Sequence, residues 1–125
     1  MIRGLESVLL FSQNPRKLAR FYRDTVGLKI TAEMEMGDQG EEMFEFGMKG
    51  CSLFIGPHSK VKGKRKEPER MMFNLEVSDI EKAVKDLKKK KVKVVQDLYH
   101  IEDYGFVATF ADLDGNYFQL VKTRA

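Results

Sequence analysis

Glu45 and Glu76 are the acidic residues that strand alternation directs toward a candidate site. A carboxylate set among apolar neighbours has its pKa raised and can take a proton as a general base. The more ordinary alternative is a pair of solvated charges on the rim of a site. Ser7 can hydrogen-bond a ligand, but nothing close to it in the chain supplies the base a nucleophile needs. His58 and His100 fall in a linker and a loop without a ligand-type residue at i+4, so both read as surface histidines. Cys51 has only Lys49 as a basic neighbour and reads as a buried, unreactive thiol. Tyr104 stands in a loop just ahead of Gly105.

The elements that must position these residues occur twice. Ser7 and Met72, Asn14 and Asp79, and Gly50 and Gly115 all stand 65 residues apart. Two copies are too few for a solenoid and fit a duplicated half-domain closing round a shared cleft. In the first copy a strand spans about 5–11, and Asn14 and Pro15 cap and open a helix that Gly27 ends. Strands follow at 29–36, 43–47 and 51–56, with a hairpin turn at 37–40. In the second copy a strand at 70–77 leads through Ser78 or Asp79 into a helix reaching about Lys90. Ile80, Ala83, Val84 and Leu87 form that helix's apolar stripe. Strands at 92–98, 105–111 and 117–122 complete the copy.

Alternation sets the two faces of each sheet. Phe73, Leu75 and Val77, Phe118 and Leu120, Val8 and Leu10, and Leu53 and Ile55 go to the core under the helices. The opposite face receives Ser7, Leu9, Phe11, Ser52 and Phe54 from the first copy, and Met72, Asn74, Glu76, Tyr117, Gln119 and Val121 from the second. That mixture of apolar and polar side chains suits a ligand pocket better than a dry core or open water.

Composition excludes several classes. The chain has 125 residues, 42% hydrophobic and 33% charged, enough for one domain or two halves sharing a core. No apolar run approaches the roughly 20 residues that span a bilayer. Met1–Gly4 carries no apolar signal-peptide core, and one cysteine permits no internal disulfide, so a reducing cytoplasm is the expected location. The net charge of +3 is gathered in two lysine-rich clusters, 60–66 and 82–93. No aromatic residues are interleaved with them to stack on bases, which argues against nucleic acid as a partner.

Asn14-Pro15, Phe21-Tyr22-Arg23-Asp24 and Val26-Gly27-Leu28-Lys29, with Phe73 to Ile80 in the second half, resemble the vicinal oxygen chelate (VOC) superfamily of glyoxalases, bleomycin-resistance proteins and dioxygenases. The most specific element is Asp112-Leu113-Asp114-Gly115-Asn116 before the last strand, close to that family's D-P-D-G-N signature. The resemblance implies an α+β fold of two βαβββ modules forming a curved sheet with a cleft. It implies one domain, with module one at 4–56, a basic linker at 57–69 and module two at 70–123. It also implies a homodimer. Metal ligands of the family fall at Ser7, Phe54, Met72 and Gln119, which offer a hydroxyl, a phenyl, a thioether and a neutral amide. Divalent cations prefer imidazole or carboxylate, so no metal and no cofactor are expected.

The leading expectation is therefore metal-independent binding of a small organic molecule, as in the drug-sequestering branch of that family. Ser7, Phe11, Phe54, Met72, Asn74, Tyr104, Tyr117 and Gln119 would form the binding surface. The competing class is a glyoxalase-like lyase or isomerase that uses unconventional ligands or Glu76 or Glu45 as base. A third is an interaction module whose basic linker reaches an acidic partner.

Overall fold

Asn14 and Pro15 start the first helix as their chemistry requires. Asn14 Oδ1 accepts the Lys17 N–H at 3.2 Å, and proline stands at the first turn, where no intrahelical donor is needed. In a computed structural model, residues 1–36 and 40–123 are described, and the chain divides into two compact units, Met1–Gly63 and Lys64–Ala125.

Unit one contains β1 (Ser7–Phe11), α1 (Pro15–Arg20), β2 (Ala32–Met36), β3 (Glu41–Met48) and β4 (Cys51–Gly56). From Phe21 to Val26 the helix continues as a π-helical turn. It stops at Gly27, whose φ of 100° suits glycine and whose N–H reaches the Tyr22 carbonyl. The sheet order is β1-β4-β3-β2, with β1 parallel to β4 and the other pairs antiparallel. Leu10, Phe44, Phe46, Leu53 and Ile55 are buried on one face, together with Leu18 and Ala19 of α1. Arg16 clips helix to sheet, forming an ion pair with Glu42 while its guanidinium lies 5.9 Å from the Phe44 ring centre. The turn expected at 37–40 lies, for residues 37–39, outside the described residues.

Unit two repeats the plan with β5 (Phe73–Glu76), α2 (Ile80–Lys89), β6 (Lys93–Ile101), β7 (Gly105–Ala111) and β8 (Tyr117–Thr123). Its order, β5-β8-β7-β6, with β5 parallel to β8, matches unit one strand for strand. Asp79 is the cap, accepting the Lys82 N–H at 3.1 Å. Ile80, Val84 and Leu87 are buried, and Phe73, Phe118 and Phe110 stack in sequence at 6.3 and 6.0 Å. The mixed α+β fold of two βαβββ modules is thus present.

Three local expectations change. The last strand segment before β7 is longer than its apolar pattern shows, because Tyr99, His100 and Ile101 pair with Val107, Phe106 and Gly105. His100 therefore lies in a strand rather than a loop, its ring 4.9 Å from that of Phe106. Cys51 is half-buried rather than buried, since it opens β4 beside Met48 at the sheet's end. The basic stretch after β4 has partners along its length. Gly63 N–H donates to Gln13 Oε1 at 2.9 Å in unit one, and Arg65 N–H to the Asp114 carbonyl at 2.8 Å in unit two.

The turn 112–116 is held from within. Asp112 Oδ1 accepts the N–H groups of Asp114 and Asn116, both at 2.9 Å, and Gly115 takes the positive φ of 78° that the turn needs. The Asn116 amide closes back on both Asp112 oxygens. The signature sequence is thereby a structural turn that delivers β8 in register.

Candidate functional site

Parallel pairing of β5 with β8 puts Asn74 beside Gln119, and antiparallel pairing of β8 with β7 puts Thr109 beside Gln119. The three form one row across the sheet. Their chain neighbours Leu75, Phe118, Leu120, Ala108 and Phe110 are buried on the opposite face, so alternation turns the row away from α2.

The row is a hydrogen-bond chain. Thr109 Oγ1 donates to Gln119 Oε1 at 2.7 Å, Gln119 Nε2 donates to Asn74 Oδ1 at 2.8 Å, and Asn74 Nδ2 donates to Tyr104 Oη at 3.3 Å. Thr109 is buried, Gln119 half-buried and Asn74 exposed, so the chain climbs from interior to surface. Tyr104 comes from the turn joining β6 to β7. That turn is closed by its own N–H on the Ile101 carbonyl and by a positive φ of 66° at Asp103. Having accepted from Asn74, the Tyr104 hydroxyl keeps its proton for another acceptor. Every member is neutral. The chain can orient a carbonyl, hydroxyl or amide, and it contains neither a nucleophile with a base nor a charge.

The remaining candidates of unit two fall on the same face. Glu76 is exposed and accepts the Thr123 hydroxyl at 3.0 Å. Tyr117 is half-buried beside Ala111 at the start of β8. Met72 precedes β5 and is 42% exposed, unlike a packed core methionine. In unit one the register likewise gathers candidates on one face. Ser7 lies beside Ser52, Leu9 beside Phe54, and Phe54 beside Glu45. Phe11 is half-buried with its ring edge-on to His58 at 5.2 Å. Glu45 is half-buried, and its backbone carbonyl holds Thr31 through both N–H and hydroxyl.

Thr109 and Thr123 are the residues sequence reasoning missed. The signal for Thr109 was the alternation of 105–111, but it becomes readable only once the register against β8 is known. The positions at which the resemblance places metal ligands do not suit a divalent cation. The Gln119 amide is already engaged on both sides, and Ser7, Phe54 and Met72 supply no charged or imidazole donor. Among the described residues there is no group of three or more His, Cys, Asp or Glu able to hold a metal ion.

Residues 4–120 match the family model described as Glyoxalase/Bleomycin resistance protein/Dioxygenase superfamily. The uncharacterised protein YetH of Bacillus subtilis (strain 168) is 28% identical over 122 residues, covering 96% of this chain and 98% of YetH. Among solved structures, TnmS3, an antibiotic binding protein from Streptomyces sp. CB03234, superposes with a TM-score of 0.77 at 21% identity, covering 98% of each chain. The trypanothione-dependent glyoxalase I of Leishmania major gives 0.76 at 20% identity, covering 97% of this chain and 87% of that one. At such identities the two structures share the fold.

Proposed function

The chain belongs to the glyoxalase/bleomycin resistance protein/dioxygenase superfamily, and on that premise we propose that it binds a small, uncharged organic molecule without a metal. The observation that carries this reading is the neutral chain Thr109–Gln119–Asn74–Tyr104. A free Tyr104 proton at the exposed end offers a ligand carbonyl or hydroxyl a directed bond. The half-buried Tyr117 on β8 and the exposed Met72 add apolar surface of adaptable shape. That TnmS3 binds an antibiotic supports the class of ligand. Ser7, Phe11 and Phe54 contribute the corresponding face of module one. In the same reading residues 57–69 join modules at 4–56 and 70–123 of one cytoplasmic domain that works as a homodimer.

A library of neutral aromatic and carbonyl compounds, screened by thermal shift, tests the proposal. A ligand that stabilises only the native state raises the apparent stability. Hits should stabilise the wild type and lose that effect with Gln119→Leu and Tyr104→Phe. Hits equally strong with both variants would remove the hydrogen-bond chain from the site. In the lyase or isomerase reading Glu76 or Glu45 is the base, and unchanged turnover of any substrate found by the Glu76→Gln variant would remove Glu76 from that role.

A further inference from the structure

Unit one holds a cavity of about 620 Å³ with an unusual set of unspent polar groups, lined by Ser12, Gln13, Glu41, His58, Ser59 and Lys62. It exists because the segment after β4 turns back on β1. Val61 N–H bonds the His58 carbonyl, Gly63 N–H bonds Gln13 Oε1, and the His58 ring packs edge-on to Phe11. Ser12 is 1% exposed, and its Oγ accepts the Asn14 N–H at 3.0 Å. The Ser12 hydroxyl proton has no acceptor among the described residues, although a buried donor left unpaired is costly. Gln13 has committed its oxygen and keeps its amide N–H groups. His58 Nδ1 accepts the Lys60 N–H at 3.1 Å, which places the neutral ring's proton on Nε2. Glu41 and Lys62 make no ion pair among the described residues.

One cation, one anion and several donors around a cavity of ligand size fit a small molecule that carries both charges. We propose that this cavity binds a free α-amino acid. The Lys62 ammonium, His58 Nε2–H and Ser12 hydroxyl face its carboxylate, and the Glu41 carboxylate takes its ammonium. This site is independent of the hydrogen-bond chain in unit two and of the function proposed from it.

The test is an amide-resolved NMR titration of the full chain with each standard amino acid, and with acetate and methylammonium as half-ligands. At least one amino acid should shift the Ser12, Gln13, Ser59 and Lys62 amides saturably, and either half-ligand should bind at least about tenfold more weakly. Glu41→Gln and Lys62→Ala alter side chains without an ion pair, so the fold is retained, and each should weaken binding about tenfold. The proposal is overturned if no amino acid shifts these amides by about 10 mM, a concentration covering even weak ligands. Acetate binding as tightly as the amino acid, or both variants binding like the wild type, would overturn it too.

Discussion

Gln119 holds the centre of the candidate site because a primary amide can accept and donate at once. Its oxygen is served by Thr109 and its nitrogen by Asn74, so the side chain is fixed before any ligand arrives. Thr109→Val keeps the shape and removes the donor, leaving Gln119 Oε1 short of a partner in a part-buried place. The expected loss is about 1–2 kcal/mol, read in urea unfolding as a lower midpoint with an unchanged slope. A midpoint equal to wild type would mean that water serves the Gln119 oxygen as well as Thr109 does. Asn74 and Gln119 were legible in the sequence because alternation alone assigns their face. Thr109 was not, since only the pairing of β7 with β8 brings it beside Gln119. Tyr104 was legible as a neighbour of the site, but its bond to Asn74 depends on how the β6–β7 turn folds back.

The elements that carry these residues depend on a few local devices. Gly105 opens β7 with a φ of 142°, and a Cβ there would run into the Lys122 carbonyl and the Thr123 backbone. Neither obstacle is a flexible side chain, so Gly105→Ala should cost about 2–4 kcal/mol and weaken the β7–β8 pairing first. Thermal unfolding followed by hydrogen exchange at Lys122 and Thr123 would show it, and wild-type protection there would contradict the steric account. Helix starts were readable because Asn14 and Asp79 act through their own side chains. Asp79→Ala should cost about 1 kcal/mol in the same unfolding assay.

On β6, Asp97 accepts from Lys88 of α2 at 2.7 Å and from the Leu98 N–H. These bonds, the lysine's first, hold its carboxyl below the ordinary value of 3.8 against partial desolvation. The folded-state pKa therefore lies below the unfolded one. The contribution is fully present above the unfolded value and is lost as pH falls through the folded value. Asp97→Asn should flatten the acid side of the stability–pH curve between those two values, and an unchanged curve would show the pair to be fully screened. β6 itself was under-read from sequence. Its exposed pattern and irregular register against β7 hide the period that marks a half-buried strand.

At the scale of the molecule, the duplicated plan was legible because spacing repeats: caps, strand starts and glycines recur at one offset. The Asp112–Asn116 turn adds a signature with a structural cause, since the Asp112 carboxylate accepts from the Asp114 and Asn116 N–H groups within it. Chemistry was less legible, because one fold carries many activities and the residues that choose among them are few. Here those residues are neutral where the resembled family coordinates a metal, and that contrast is the centre of the functional reading. Metal content, determined on tag-free protein purified without chelators and paired with a thermal-shift scan over Mn, Fe, Co, Ni and Zn, addresses it most directly. The expected result is substoichiometric metal and no stabilisation by any of the five. Stoichiometric metal with a clear rise in unfolding temperature would contradict it, because a cation bound only to the native state must stabilise that state.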